Sequence, residues 1–461
     1  MSDLPSATRR NISCFLWFRI LFNCRFYYPV YTILFLDFGL TLRDFALLNA
    51  AWAVAIVLLE VPSGALADRI GRRKLVVGAG MLMVVEMLVL LLAPVNGGAV
   101  LFGMFLLNRI LSGAAEAAAS GADEALVYDS LPEESRATLW PKINARLMWL
   151  QSLAFVFVTI AGAYVYDPGF VNAALAMFGF GNIHLTQEVT LRFPIALTML
   201  TAIATLIVAI RFHEPESHAP EASTSASPVK DSFRNTLRTG GWILRTPPVL
   251  LLIVLGMFFD SFIRLYYTVS SEFFRLLDIP VKHFGYIGAV GSLIGMGAAF
   301  IVVRMVKAWS PPRNFLVMAM CVLSGLLGLA IARPEFGYWG VLLVLPLWLG
   351  MRFLHYFLSQ YLNAAVDSTH RATVLSFKGL SINLSYGIIT LLFGLQTAIL
   401  RGRLTGADSV ESDAVKREVF AAALPWWPVA YVVSGCLLYL IVRIYCKCSL
   451  RKLLEVSSSR D

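Results

Sequence analysis

About a dozen stretches of the chain are apolar on every side for the length of a bilayer crossing. They begin near Ile12, Phe45, Leu75, Val100, Ile143, Val189, Val249, Phe284, Phe315, Tyr338, Thr373 and Pro425. A hydrocarbon core about 30 Å thick takes roughly 20 helical residues per crossing. Barrel strands would alternate at period two, and these stretches do not. The pattern predicts an all-α polytopic membrane protein with 12 transmembrane helices.

Composition agrees. Of 461 residues, 58% are hydrophobic and 15% charged, whereas soluble domains run near half apolar and a quarter charged. The net charge of +9 does not point to nucleic acid, because basic residues accumulate in loops that stay in the cytoplasm. With the N-terminus inside, the inner loops hold Arg9, Arg10, the Arg69–Lys74 cluster, Arg136, Lys142, Arg146, Lys230, Arg234, Arg238, Arg245, Arg304, Lys307 and Arg313. The outer loops hold fewer, such as Arg43, Arg192, Lys282, Arg333 and Arg401. Both termini are then cytoplasmic, in a multi-pass protein of the plasma membrane. The start, "MSDLPSATRRNIS", enters an apolar run without a small-residue cleavage site, so the first span is expected to stay. The six cysteines read as small apolar fillers, and "CKC" near the end is a weak metal or lipid signal. No metal and no cofactor is expected.

One polar stretch divides the chain. Within 212–246, "HEPESHAPEASTSASPVKDS" is rich in Pro, Ser, Ala and Glu without hydrophobic period, the composition of a flexible linker. It separates a first six-helix bundle, 1–211, from a second, 247–461, whose basic tail is cytoplasmic. Between spans five and six, "YDPGFVNAALAMFGFGNIHLTQE" reads either as an interfacial or re-entrant piece or as a long loop.

Spans two and three are joined by "GALADRIGRRK". Gly64 is expected to let the two helices approach and Gly71 to permit the reversal. Arg69, Arg72, Arg73 and Lys74 fix the hairpin inside, and Asp68 needs a cationic or helix N-terminal partner. A simple topology anchor explains as much.

This run resembles the cytoplasmic signature of the major facilitator superfamily, Gly-x-Leu-Ala-Asp-Arg-x-Gly-Arg-Arg-Lys. Gly64, Asp68, Arg69, Gly71, Arg72, Arg73 and Lys74 fall on its positions. A second run, "LLNRILSGAAEAA" in span four, is similar to the family's Arg-x-x-(Gln)-Gly motif through Arg109, Gly113 and Ala117, with Ser112 in place of Gln. The resemblance implies two pseudo-symmetric six-helix bundles and a latch of Asp68 and Arg72 that breaks and reforms as access alternates. Two departures stand out. The matching loop of the second half, "RMVKAWSPPRN", lacks the Gly and Asp, and span five lacks the Gly-Pro-x-x-Gly-Gly pattern of many drug/proton antiporters of the family.

A charge at mid-bilayer costs at least ~2.5–3.5 kcal/mol on insertion scales, so each one is a functional candidate. At 100° per residue, Arg109, Gly113, Glu116, Ser120, Asp123 and Glu124 share one stripe of span four. They are structural neighbours or a proton-carrying set, with Asp123 and Glu116 titrating and Arg109 as switchable partner. Asp260 and Arg264 in span seven are spaced to pair locally, and Tyr267 continues their face. In span ten, Arg352, His355, Tyr356, Ser359 and Asn363 form a polar stripe, with Lys378 in span eleven. Span one carries Arg19, Asn23, Tyr27 and Tyr31 on one face and Arg25 on another; Glu86 is the main charge in span three. Asn23, Tyr27, Tyr267, Arg352, His355, Ser359 and Lys378 are the candidate solute contacts.

No Walker sequence, Gly-x-Ser-x-Gly elbow or His-Glu-x-x-His occurs, so an enzyme is not expected. The expectation is a monomeric secondary transporter, proton-coupled, moving a small organic solute, drug-like or metabolite, outward by alternating access. Acids in the first half and bases in the second leave open an importer of an anionic or zwitterionic metabolite. A membrane sensor or scaffold that no longer cycles is the alternative of another class. Protons, solute and bilayer are the partners, with no nucleic acid.

Overall fold

The computed structural model describes residues 4–214, 234, 238, 240–366, 368–405 and 412–446. Most of the expected linker and the basic tail from Lys447 onward, with the last two residues of its "CKC", lie outside the described residues, as does the side chain of Asp68.

Helix is the sole regular structure among the described residues. In chain order the helices are α1 Ser6–Asn23, α2 Tyr31–Asp37, α3 Leu42–Ile70, α4 Arg72–Leu91, α5 Gly98–Ala119, α6 Ala122–Ser130, α7 Glu133–Tyr166, α8 Pro168–Met177, α9 Gln187–Thr190 and α10 Phe193–Ile210. They continue with α11 Pro247–Leu276, α12 Phe284–Ala308, α13 Pro311–Ile331, α14 Trp339–Leu343, α15 Leu345–Ala365, α16 Ser368–Thr405, α17 Asp413–Ala423 and α18 Trp426–Cys446. Among the described residues, eleven helical segments are long and apolar enough to cross a membrane. The remaining span expected from the sequence is the broken pair α1 and α2, which carries Arg9, Arg10 and Arg19 and is interrupted after Asn23.

The segment between spans five and six contains a helix. Asp167 caps α8 by accepting from the Gly169 N–H at 2.9 Å, and none of the helix is buried.

The chain forms two compact units. The first comprises 1–40, 51–234 and 281–289; the second comprises 41–50, 235–280 and 290–461.

In the first unit α4 packs on α5 and α10. The α3–α5 approach depends on Gly113, where an added Cβ would lie 2.8 Å from the Ala55 Cβ and 2.9 Å from the Trp52 carbonyl oxygen. Ser63 on α3 donates to the Ala117 carbonyl on α5 at 2.8 Å. Gly64 plays no such part: an added Cβ would meet nothing within 4 Å among the described residues. The expected role of Gly64 in bringing spans two and three together is thus not met, because Gly64 lies on the exposed side of α3; the glycine contact of α3 is instead with α5, at Gly113. Gly71 does supply the reversal, with φ at +98°.

In the second unit α11 lies against α15 and α16. Ser261 and Ser385 hydroxyls are 2.6 Å apart and those of Thr268 and Tyr386 2.9 Å, joining α11 to α16.

Candidate functional site

Two clusters of ionised groups in the first unit lie within its spans. Gly121, at φ +74°, breaks the fourth span between α5 and α6; this is a backbone region that favours glycine. The break places Asp123 and Glu124 in the first turn of α6, where the exposed N–H groups and the helix dipole favour negative charge. Asp123 Oδ1 accepts from the Glu124 N–H at 2.8 Å. Arg19, from α1, grips both: its Nε lies 2.5 Å from Asp123 Oδ2, and its Nη2 donates to Asp123 Oδ1 at 2.8 Å and Glu124 Oε1 at 2.9 Å. Asp123 is fully buried, whereas the Glu124 side chain is 53% exposed.

The second cluster lies at the break in the first span. Arg25 donates to Glu86 Oε1 at 2.5 Å and to the Tyr27 hydroxyl at 3.0 Å. Asn108 donates to the Glu86 carbonyl at 2.9 Å and accepts from Arg109 Nε at 3.2 Å. Arg109 also donates to the Tyr31 hydroxyl at 2.7 Å and stacks over Tyr31 and Phe35 at 5.7 Å.

These contacts correct two expectations. Arg109 is not the partner of Asp123 or Glu116; Arg19 holds Asp123, and Arg109 is bound to neutral groups. The single stripe assumed one continuous helix, and the Gly121 break ends it. Fourteen residues of helix would in any case separate Arg109 from Asp123 by about 21 Å. Tyr27 is the second correction: at 1% exposure and held by Arg25 it is sealed in the core rather than open to a solute. Asn23 is exposed, but its amide donates back to the Arg19 carbonyl at 2.7 Å. Glu116 is exposed on α5.

At the hairpin, Arg72 is paired with Asp129 near the end of α6. Glu214 caps α4, accepting from the Arg72 and Arg73 N–H groups at 3.0 and 2.8 Å. Arg69 is exposed.

In the second unit Arg264 binds Asp260 at 2.8 Å, donates to Asn383 Oδ1 at 2.9 Å and covers the Tyr386 ring at 5.1 Å. Asp260 is 2% exposed. Tyr267 is exposed, one turn along α11. Arg352, His355 and Ser359 are exposed together on one face of α15, and Lys378 is half-buried on α16. The Arg352 guanidinium lies against α12 at Gly295, where an added Cβ would strike it.

Sequence reasoning missed the Arg25–Glu86 pair, the two polar links Asn108 and Asn383, and the cap Glu214. The signal for the pair was present: opposite charges stranded in two apolar spans.

A sequence model described as Major Facilitator Superfamily matches residues 14–390. The chain belongs to that family. It is therefore a multi-pass membrane protein with the fold and family of transporters of small solutes rather than of enzymes. The quinolone resistance protein NorA of Staphylococcus aureus (strain MSSA476) is 21% identical over 318 residues, 68% of this chain and 71% of NorA. Among solved structures, a bacterial homologue of the human lysosomal transporter Spinster, inward-facing and unoccupied, is similar with TM-score 0.68 at 15% identity, covering 98% of both chains. The nucleoside transporter NupG matches with TM-score 0.65 at 10% identity over 96% of this chain and 100% of its own. A D-xylose-proton symporter matches with TM-score 0.60 at 14% identity over 91% and 96%. At such identities the structural likeness speaks for the superfamily fold, in which the two-bundle, 12-helix architecture is the common plan.

Proposed function

We propose that this member of the superfamily is a proton-coupled secondary transporter that exports a small organic solute across the plasma membrane, both termini being cytoplasmic. Bundles 1–211 and 247–461, joined by 212–246, rock to alternate access, and the monomer is the working unit. One observation carries the reading: Asp123, wholly buried in a membrane span, is held by Arg19, which also reaches Glu124. A buried ion pair is costly to form and more costly to leave half-broken. Protonation of Asp123 releases Arg19 from it and leaves Glu124 as the remaining partner, and loss of the proton recaptures it, so proton occupancy sets which contacts α1 makes with α6. Glu116 and Glu124 supply neighbouring acceptors. The efflux direction draws support from the similarity to NorA, whose name records quinolone resistance.

On the hairpin, Gly71 and Arg72 act with Asp68 and Arg69 as a cytoplasmic gate. The Arg72–Asp129 pair and the Glu214 cap make it a charged, breakable joint.

A second reading has its own observation. Arg352 and His355 are exposed within one apolar span, beside Ser359, with Lys378 half-buried on the following helix, and cations of this kind suit an anionic or zwitterionic metabolite.

The deciding experiment is transport of labelled solute in proteoliposomes under imposed pH gradients of either sign. Uptake against the solute gradient that reverses with the pH gradient supports the proposal. Equal rates with and without the gradient defeat it, and inactivity across broad panels of drugs and metabolites favours a scaffold.

A further inference from the structure

Between α1 and α7 of the first unit runs a groove of about 590 Å³. Its walls are apolar: Leu16, Trp17 and Ile20 on one side, Leu153, Ala154 and Phe157 on the other. Trp17, Leu153 and Phe157 are 56%, 57% and 67% exposed, which in a membrane-spanning chain is surface offered to lipid. One end differs. There Arg9 and Arg146 enter the lining, both exposed, and no carboxylate lines the groove anywhere. Neither arginine makes an ion pair among the described residues.

The two arginines share that end because α1 and α7 run in the same direction. Trp140 meets Phe15, Gln151 donates to the Arg19 carbonyl, and Phe157 meets Phe26. Arg9 to Ile20 and Arg146 to Phe157 are each eleven residues, or about 16 Å of helix. Half of a hydrocarbon core of about 30 Å is about 15 Å. The apolar wall is thus as deep as one leaflet, and the cations lie at the level of its headgroups.

We propose that this groove binds one anionic phospholipid. Its phosphate sits between Arg9 and Arg146, whose guanidinium groups can each give paired hydrogen bonds to phosphate oxygens. One acyl chain lies along Leu16, Ile20, Leu153 and Phe157. Basic pockets between spanning helices take such headgroups, and the absence of any acid in the lining selects against cationic amphiphiles. On the orientation proposed above, the lipid belongs to the cytoplasmic leaflet; the site itself does not depend on what the transporter carries.

The test is native mass spectrometry and thermal unfolding of the full chain in neutral detergent, titrated with phosphatidylglycerol, phosphatidylcholine or inorganic phosphate. Phosphatidylglycerol should stay bound and raise the unfolding temperature, while phosphatidylcholine and inorganic phosphate do neither. The double variant R9Q/R146Q should weaken retention about thirtyfold. Ala154→Phe, which fills the groove and keeps both arginines, should weaken it as well, and it decides the matter if the double variant does not fold. Lys142→Gln, a nearby cation outside the lining, should change nothing. Equal retention of the two lipids, displacement by inorganic phosphate, or wild-type retention in whichever variants fold would overturn the proposal.

Discussion

Arg25 and Glu86 meet at 2.5 Å with side chains 4% and 0% exposed, joining the interruption of the first span to the middle of the third. Neither charge has solvent to fall back on. Removing one partner of such a pair strands the other, at about 3–5 kcal/mol, whereas replacing both by apolar groups of similar size is often neutral. Glu86→Leu or Arg25→Met alone should therefore lower the unfolding temperature sharply in detergent. The double variant R25M/E86L should recover most of it; failure to recover would mean the pair does more than balance charge.

Asp123 and Arg19 predict a pH effect. Acidification neutralises the carboxylate and loosens its hold on Arg19; alkalinisation restores it. Asp123→Asn fixes the loosened state at every pH, so the variant should lose the pH dependence of transport while still exchanging solute. Arg19→Gln should act in the same sense, and Glu116→Gln should also flatten the wild-type profile. If Asp123→Asn and Glu116→Gln both keep the wild-type profile, the proton is handled elsewhere.

The hairpin offers a charge-reversal experiment. Arg72 and Asp129 are each 19% exposed, so their pair is partly screened and worth up to about 1 kcal/mol. Arg72→Gln and Asp129→Asn should each slow transport about two- to fivefold at unchanged membrane abundance. The swap R72D/D129R should restore a good part of the rate. A swap as slow as the single changes argues that Arg72 acts on a different partner.

Gly162 lies where α7 crosses the interrupted first span, and a Cβ there would run into the Phe26 carbonyl oxygen. Backbone does not yield as a flexible side chain does. Gly162→Val should cost about 1–3 kcal/mol by overpacking, seen as a lower unfolding temperature. Gly103→Val, at a position with nothing within 4 Å among the described residues, is the matched control and should be silent.

Much of the fold was legible because bilayer length is a coarse, strong signal. Eleven of the expected spans appear as apolar helices. The charges were legible as charges but not as pairs. Arg109 and Asp123 fell on one stripe only while the helix was assumed unbroken, and a lone Gly121 among alanines gives little warning that the chain turns there. Asp260 and Arg264, four apart on an unbroken helix, were read as able to pair and do so. Arg25 and Glu86 are 61 residues apart, and no local pattern relates them. Glycine posed the same difficulty: Gly64 and Gly113 look alike in sequence, and only packing tells which touches a neighbour.

The first helix has a consequence for how the protein is made. Ser6–Asn23 carries Arg9, Arg10 and Arg19 and does not qualify by itself as a membrane-crossing helix. Asp123, which balances Arg19, lies 104 residues later; at a ribosomal pace of roughly 5–20 residues per second it emerges about 5–20 s afterwards. During that interval the nascent segment must be sheltered by the insertion machinery or wait at the interface. Its final seat is completed by chain that has yet to be translated.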